Sequence, residues 1–272
     1  MSVHQLKIGD IECAVLHEGE SDLIAANLAQ RYPGVSQAQI ERALAGGAPS
    51  GSLNLPCISS GGTRILADVG FGAAGGPTAG NTEAALNSIG IGLADIDIVF
   101  LSHFHGDHIA GLALDENRME FPRARFVTTQ AEWDEWIGRW SASDAPGDQK
   151  NLERFTSLQD RFSFVSAGEE IAPGVTVVDL KGHTLGHAGL LLESGGERLL
   201  HVVDLLHQPF QFAHTNWHFS FDSDPELAEE TRRNTLERCA AEGILTLFYH
   251  MPFPGLGQVS EEGGAFVWNP VA

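Results

Sequence analysis

Four side chains that commonly bind metal ions lie within six positions of this 272-residue chain: His103, His105, Asp107 and His108. They follow directly from an apolar run, so they are placed in a loop at the end of a predicted strand. Residues two apart in an extended segment point the same way, so the first three could project together while His108 points elsewhere. Gly106 leaves room for the bend that this requires. The spacing therefore offers ligands to two adjacent ions, and a pair of divalent ions can activate water for hydrolysis.

The same residue types follow three later apolar runs. His183 and His187 stand in the motif GHTLGH after VTVVDL, Asp204 follows RLLHVV, and His250 follows ILTLFY. A site at one rim of the sheets would be built from the ends of such strands. With His187 left aside, the combined set has five histidines and two aspartates. These donors suit zinc but also tolerate manganese, cobalt or iron.

HFHGDH, GHTLGH, the aspartate after a strand and the C-terminal histidine resemble the motifs of the metallo-β-lactamase-fold hydrolase superfamily, over roughly residues 64–254. The resemblance implies an α+β fold, a four-layer αββα sandwich with a dinuclear metal site between the rims of its two sheets. It implies two divalent metal ions per chain, with Zn²⁺ as the expected metal and Mn²⁺, Co²⁺ or Fe²⁺ as alternatives. The implied ligands are His103, His105 and His183 for the first ion, Asp107, His108 and His250 for the second, and Asp204 bridging both.

The resemblance also implies a hydroxide that bridges the two ions and attacks an ester, a lactone or an organophosphate triester. We therefore predict a metal-dependent hydrolase of ester bonds, with Asp107, Asp204 and His207 as catalytic residues. Two alternatives on the same fold stay open: a mononuclear iron dioxygenase acting on sulfur substrates, and a thioesterase of the glyoxalase II type. Metal stoichiometry separates the dioxygenase from the hydrolase, because the dioxygenase binds one iron per chain.

The stretch after Asp204 bears on the substrate. DLLHQPFQF, then a tryptophan, then FDSD before a predicted helix resemble the methyl-parathion-hydrolase branch of the superfamily. Acyl-homoserine lactonases of the superfamily usually have a tyrosine three residues after the bridging aspartate, where this chain has His207. Because an imidazole titrates near neutrality, His207 is either a proton donor or substrate contact, or a histidine of the pocket wall.

Aromatic side chains crowd the same stretch. They either line an apolar pocket for an aryl or acyl group or pack the loop on the core. These side chains are Phe210, Phe212, Trp217, Phe219 and Phe221.

Further residues are expected to support the ligands. Asp68, in ILADVG, resembles the aspartate of the family that orients ligand histidines, although a simple turn aspartate would give the same pattern. His187 is expected beside the ligands and not among them. Leu185 stands where the family usually has proline, which should affect the rigidity of the turn more than metal binding. Three other histidines are assigned no role and are expected at surface or packing positions: His201, His214 and His218.

Alternating and continuous apolar patterns predict the elements that must bring these residues together. After a β-hairpin at 6–17, strands are predicted at 52–59, 63–68, 96–102, 125–128, 162–166, 175–180, 188–193, 198–203 and 244–250. Helices are predicted from about 22, from 37 with Ser36 as N-cap, at 82–89, at 130–140, and from Pro225, with Asp224 as N-cap, to before Gly243. Strands in meandering groups with helices outside both halves indicate two sheets packed face to face.

The amino-acid composition argues against several classes of protein, including nucleic-acid-binding and membrane proteins. The chain has 36 Asp and Glu against 16 Lys and Arg, and the net charge of −20 opposes nucleic-acid binding. No apolar run approaches the ~18 residues of a membrane span, and the N-terminus lacks the pattern of a secretory signal, so we predict a cytoplasmic protein without a membrane partner. The three cysteines are widely spaced and predicted to be buried free thiols. We expect one domain over residues 1–272 and, by analogy, a homodimer, with the segment at about 20–50 as partner contact or pocket lid.

Overall fold

Two seven-stranded β-sheets form the centre of the fold. The structure is a computed structural model that describes residues 2–21, 25–112 and 120–271. The first sheet contains, in spatial order, β1 (Val3–Ile8), β2 (Ile11–Glu20), β3 (Ser52–Ser60), β4 (Thr63–Ala67), β5 (Ile98–Phe100), β6 (Arg125–Thr129) and β7 (Phe162–Val165). The second contains β14 (Ala265–Pro270), β13 (Leu256–Glu262), β12 (Leu245–Phe248), β11 (Glu197–Val203), β10 (Ala188–Ser194), β9 (Val175–Asp179) and β8 (Glu170–Ala172). Neighbouring strands pair antiparallel except at β4–β5, β5–β6, β6–β7 and β11–β12, which are parallel.

Apolar side chains from both sheets fill the space between them. One buried cluster joins Val15 and Ile65 of the first sheet to Val177, Leu190 and Leu247 of the second. Further apolar layers lie on the outer faces, so a central strand such as β3 is buried along nearly its whole length. Burial on both faces explains why a central strand such as β5, with the sequence IVF, is apolar at every position.

Helices cover the two outer faces. The described residues form seven α-helices: α1 (Leu28–Arg31), α2 (Gln37–Leu44), α3 (Thr82–Ser88), α4 (Gly106–Ile109), α5 (Gln130–Ser141), α6 (Pro146–Ser157) and α7 (Pro225–Glu242). Leu86 of α3, Trp133 of α5 and Phe155 of α6 pack on the first sheet. Leu236 and Cys239 of α7 pack on the second. The order helix, sheet, sheet, helix is the predicted four-layer αββα sandwich.

Most predicted elements are confirmed, with ends that differ by a few residues. The run at 96–102 forms a strand only over Ile98–Phe100, and Asp224 caps α7 by accepting a hydrogen bond from the N–H of Leu227 at 3.1 Å. The helix predicted from about position 22 begins on residues outside the described part. Helix α6 and strands β8, β13 and β14 were not predicted.

Two smaller predictions also concern the whole fold. All three cysteines are free and buried, as expected. Within the described ranges, none of the helices has the length and apolar character needed to cross a membrane.

Candidate metal centre

The ends of four strands meet at one rim of the sandwich and carry the predicted ligands. The first sheet contributes four of these residues, after β5 and in α4, and the second contributes three, after β9, β11 and β12. In chain order they are His103, His105, Asp107, His108, His183, Asp204 and His250. Five of the seven are at most 3% exposed. The structure therefore brings together every residue that the sequence placed at the metal site.

Four of these side chains form a first group, in which the potential ligand atoms lie within 4.8 Å of one another: His103, His105, His183 and Asp204. His105 Nδ1 is 3.1 Å from His103 Nε2 and 2.9 Å from His183 Nε2. Asp204 Oδ2 is 3.4 Å from His183 Nε2 and 3.6 Å from His103 Nε2. Ligands about 2.0–2.1 Å from a tetrahedral zinc ion are about 3.3 Å apart, so the group has the dimensions of one metal site.

The second group contains Asp107, His108, His250 and again Asp204. His250 Nε2 is 3.4 Å from Asp107 Oδ2 and 3.3 Å from Asp204 Oδ1. His108 Nε2 is 3.2 Å from the same oxygen of Asp204. Asp204 thus belongs to both groups, with Oδ2 among the imidazoles of the first and Oδ1 beside His108.

Unpaired polar atoms show that a cation fits the second group. Asp107 Oδ2, His108 Nε2 and Asp204 Oδ1 are buried, and although His108 Nε2 is 3.2 Å from Asp204 Oδ1, none of the three makes a hydrogen bond of good geometry among the described residues. Buried polar atoms are normally paired, so three of them facing one another need an explanation. A divalent ion would contact all three, and imidazole with carboxylate is a suitable donor set for zinc, manganese, cobalt or iron.

Imidazoles must be neutral to bind a metal ion, and the pKa values of the histidines in the two groups are shifted in opposite directions. Burial holds the pKa of His103 and of His105 well below the usual range. At His108 burial also lowers the pKa, but the carboxylates around it outweigh burial and raise that pKa well above the usual range. At His183 the carboxylates of Asp204 and Asp222 likewise outweigh burial and raise the pKa to about 9. Metal binding at His108 and His183 would therefore release protons.

Asp68 lies behind one of the ligand histidines. Its Oδ2 is 2.8 Å from His108 Nδ1, and its two oxygens accept hydrogen bonds from the backbone N–H and the hydroxyl of Ser102. The backbone of Asp68 has φ +61°, a left-handed conformation that is unfavourable for a residue with a side chain. Asp68 therefore lies where an aspartate that orients the His108 ring would lie, the position that the sequence resemblance implied.

Asp222 contacts His183 as Asp68 contacts His108, but no role was predicted for Asp222 from the sequence. Its Oδ1 is 2.9 Å from His183 Nδ1, and its Oδ2 accepts from the backbone N–H of Phe219. Arg232 of α7, 1% exposed, approaches Asp222 Oδ2 at 3.5 Å. Arg232 also donates to the backbone oxygens of Leu205 and Thr215. FDSD shows that Asp222 ends an aromatic loop, but no local pattern relates it to His183.

The remaining histidines stay outside both groups. His187 is buried, its Nδ1 is 2.9 Å from the backbone oxygen of Leu180, and burial lowers its pKa to about 4. His201 is fully buried, His214 stacks on Trp217 at 4.1 Å, and His218 pairs with Glu229.

A cavity of about 320 Å³ opens on the first metal group. Beside the ligand residues its wall contains Arg31, Phe71, His207, Phe219 and Phe221. His207 Nε2 is 3.2 Å from Asp204 Oδ2, and its ring stacks on Phe219 with the ring centres 3.8 Å apart. The predicted pocket histidine therefore lies between the metal group and an aromatic wall.

Three of the five aromatic residues proposed for the pocket pack elsewhere. Phe210 contacts the ring of Tyr32 beneath the N-terminal helices, and Phe212 packs against Phe248 and Trp268 on the outer face of the second sheet. Trp217 stacks on His214. Phe210 and Phe212 lie on the short helical turn at Pro209–Phe212 and, like Trp217, are absent from the cavity wall, which is formed by His207, Phe219 and Phe221 with the unpredicted Phe71 and Arg31.

The N-terminal segment covers one side of the cavity. Leu28, Tyr32 and Ile40 form a buried cluster with Phe210 and Phe219. The hydroxyl of Tyr32 donates to Gln211 Oε1 at 2.9 Å. Because Arg31 lies in the same segment and in the cavity wall, this part of the chain has the position expected of a pocket lid.

Comparisons with known proteins agree with this geometry. The sequence model of the family described as "Metallo-beta-lactamase superfamily" matches residues 58–260. A probable metallo-hydrolase of Mycobacterium tuberculosis is 28% identical over 134 residues, which cover 44% of this chain and 40% of that protein. The chain thus matches less than half of the length of this curated relative.

Two solved structures are similar over nearly the whole chain. AidC, a dizinc quorum-quenching lactonase in complex with the product N-hexanoyl-L-homoserine, is 25% identical, with a TM-score of 0.88 and coverage of 100% of this chain and 98% of its own. AbOPH, a hydrolase in the beta-lactamase superfamily, is 26% identical, with a TM-score of 0.86 and coverage of 99% and 97%.

Proposed function

Because the chain belongs to the metallo-beta-lactamase superfamily, we propose that it is a hydrolase that binds two divalent ions, preferably zinc, and cleaves lactones or other esters. The observation that carries the proposal is the pair of ligand groups that share Asp204. Two such ions, when bound, supply Lewis acidity and a water nucleophile at neutral pH. The second group speaks against the alternative of a single iron, because its buried imidazoles and carboxylates offer a further set of ligands for a cation.

The chain's own residues would hold the ions and shape the substrate's surroundings. The three-histidine group with Asp204 would hold one ion, and Asp107, His108 and His250 with Asp204 the other. Phe71, Phe219 and Phe221 would bind the apolar part of the substrate and exclude water from the reacting bond.

His207 is the residue of the cavity that we propose contacts the leaving oxygen. Its Nε2 is 3.2 Å from Asp204 Oδ2, and its Nδ1 is buried without a hydrogen-bond partner in the described part of the chain. Burial lowers the pKa of His207 to about 3, so the ring is neutral near pH 7 and would act on a substrate atom through its single N–H or its unprotonated nitrogen, not as an imidazolium acid. By the sequence resemblance, it would take the place of the tyrosine that acyl-homoserine lactonases of the superfamily usually have.

The substrate class is proposed from the cavity and from AidC. An aromatic wall beside two potential metal sites suits an uncharged ester with an acyl or aryl group, and AidC binds an acyl-homoserine product. N-acyl-homoserine lactones are therefore the first class to test, and organophosphate triesters the second.

A paired kinetic assay on zinc-reconstituted protein tests these classes. The kcat/KM for an N-acyl-homoserine lactone is compared with that for an aryl phosphotriester, because the ratio reports differential stabilisation of the transition states. We expect the lactone to be preferred, whereas a large preference for the triester would move the proposal to the second class. A thioester substrate is measured in parallel, and turnover of the thioester alone would contradict both.

Removal of a ligand tests the metal site itself. His103→Ala should lower the bound metal and Asp204→Ala should remove most of it, and both variants should lose turnover, while His214→Ala, which belongs to neither group, should retain both properties. Metal content by elemental analysis and turnover are measured on the same samples. One iron per chain together with oxygen uptake would favour the dioxygenase, and full activity of Asp204→Ala would contradict a metal hydrolase.

Four wider proposals remain. We propose a single domain, assembled as a homodimer in the cytoplasm, that binds no nucleic acid because its net charge is −20. Sedimentation equilibrium and a filter-binding assay with duplex DNA test the assembly and the nucleic-acid statement.

A further inference from the structure

A fully buried carboxylate, that of Glu132, connects the two loops that carry the imidazoles of the first metal group. Glu132 lies in the first turn of α5 and is 0% exposed. Its Oε1 accepts a hydrogen bond from the backbone N–H of Phe104 at 2.8 Å. Its Oε2 accepts from the hydroxyl of Thr184 at 2.6 Å and from the backbone N–H of Gly186 at 3.1 Å.

These three donors lie in two loops, and each loop follows a strand of a different sheet. Phe104 stands between His103 and His105, in the loop after β5 of the first sheet. Thr184 follows His183 directly, in the loop after β9 of the second sheet. To bind one ion, the ligand nitrogens of three imidazoles from two separate sheets must be positioned with an accuracy of a few tenths of an ångström. Glu132 is hydrogen-bonded to the chain beside all three.

The start of α5 is also in close contact with the second loop. A Cβ atom at Gly186 would lie 2.2 Å from the backbone nitrogen of Glu132 and 2.4 Å from Thr129 Oγ1, so only glycine allows this approach. The hydroxyl of Thr129 donates to the Gly186 oxygen at 2.8 Å. Glu135 Oε2 accepts from the N–H of Leu185 at 3.0 Å, a hydrogen bond that the proline usual at this position could not donate.

The same helix face reaches the first loop as well. Trp136, one turn after Glu132, packs edge-on against the ring of His105 with the ring centres 5.4 Å apart. Residues 132 and 136 are one helical turn apart and therefore project from the same side of α5.

We propose that Glu132 is a positioning residue that sets the separation of the two histidine loops and thereby the affinity of the first group for its metal ion. The inference rests on the proposed function, because it presupposes that His103, His105 and His183 bind metal. A carboxylate is required for geometric reasons, since its two oxygens accept three hydrogen bonds at once. The amide of glutamine would direct an NH₂ group at one of the three donors, and aspartate would be too short to reach both loops.

The test uses Co²⁺ as the probe, titrated into the metal-free full chain and followed by its visible absorption. Glu132→Gln is compared with Asp134→Asn, an exposed residue of the same helix that loses the same charge. Changes to groups that support metal ligands commonly lower affinity 10–100-fold. We expect this loss at one of two Co²⁺ sites in Glu132→Gln, no change at the other, and wild-type binding in Asp134→Asn.

Two further variants assign the effect. In a His250→Ala background the second group lacks a ligand, so the remaining tight Co²⁺ site is the first group. Glu132→Gln should lower the Co²⁺ affinity of that site by the same factor as in the wild-type background. Thr184→Val keeps the carboxylate and the side-chain volume but removes one hydrogen bond, so it should weaken the site in the same direction. If Glu132→Gln does not fold, Thr184→Val decides the question.

Failure of the positioning role and failure of the proposed function would give different results in the Co²⁺ titrations. Equal Co²⁺ affinities in Glu132→Gln and the wild type would overturn the positioning role. So would equal weakening of both sites with a lower melting temperature of the metal-free protein, because that pattern describes general destabilisation. A wild-type chain that binds only one Co²⁺ ion would instead overturn the proposed dinuclear site, and a wild-type chain that binds none would overturn the inference with it.

Discussion

Asp222 is a residue outside the two ligand groups that we expect to control the affinity of the first group for a metal ion. Its carboxylate is 2.9 Å from His183 Nδ1 and holds that ring with Nε2 directed into the first group. Asp222→Asn keeps the size of the side chain but removes the charge that favours the proton on Nδ1. We expect a 10–100-fold loss of metal affinity, measured by competition with a chelator. The exposed Asp160→Asn is the control, and unchanged zinc binding in Asp222→Asn would show that His183 needs no such support.

His207 offers a second prediction at the residue scale. His207→Phe preserves the stacking on Phe219 but removes both ring nitrogens from the cavity. If the imidazole transfers a proton or contacts the leaving oxygen, kcat should fall by about 10²-fold or more, with little change in metal content. The measurement is kcat and KM of the zinc-loaded variant for the preferred substrate. A variant with unchanged kcat and a raised KM would reduce His207 to part of the pocket wall.

Some residues of the candidate site can be predicted from the sequence, and others cannot. HFHGDH and GHTLGH are local patterns, so their histidines could be identified without knowledge of the fold. Asp222 is 39 positions from His183, and Glu132 is 28 positions from Phe104. Such contacts arise only when the two sheets and α5 are assembled. No spacing rule in a single sequence predicts them.

At the scale of elements, α7 stabilises the loop that carries Asp222. Arg232 of this helix is 1% exposed and donates to the backbone oxygens of Leu205 and Thr215 in addition to its contact with Asp222. Helix α7 is therefore linked through Arg232 to both ends of the segment between Asp204 and Asp222.

Arg232→Met tests this role of α7. The variant keeps an unbranched side chain but leaves two carbonyl oxygens and a buried carboxylate without their partner. Removing one member of a buried charge pair costs about 3–5 kcal/mol, so we expect a loss of that order in the free energy of unfolding. Urea denaturation measures the loss, with the exposed Arg233→Met as control. A loss below about 0.5 kcal/mol would mean that the segment is held by its other contacts.

The elements that the sequence analysis missed have different physical explanations. Helix α6 is mostly polar, with Phe155 as its buried residue, so it lacks a long apolar stripe that would predict a helix. The hairpin β13–β14 did carry a signal, because Gly263 and Gly264 have φ of +60° and +83° in its two-residue turn. Such a glycine pair between alternating apolar residues is typical of a hairpin and could have been recognised.

At the scale of the whole molecule, the two sheets share an interior that is apolar except near the metal rim. His201 lies in register with Leu190 and Leu247, both members of the cluster between the sheets, and is 0% exposed. Its Nδ1 is 3.2 Å from the Leu247 oxygen, whereas its Nε2 has no hydrogen-bond partner among the described residues. A protonated imidazole would be poorly accommodated there.

The stability of the sandwich should therefore depend on pH through His201. Burial lowers the pKa of His201 from 6.5 to about 4, and the carboxylate of Asp68 offsets only part of this effect. Between these values the unfolded chain binds a proton that the folded chain excludes, so the stabilisation is complete above pH 6.5 and is lost as the pH falls towards 4. Since one pKa unit corresponds to about 1.4 kcal/mol, the linked loss is on the order of 3 kcal/mol. We expect metal-free wild-type protein to lose this much more free energy of unfolding than His201→Leu over that range, as measured by urea denaturation at each pH. Parallel curves for the two proteins would show that His201 keeps its proton in the folded state, and that the space between the sheets is more polar than its lining indicates.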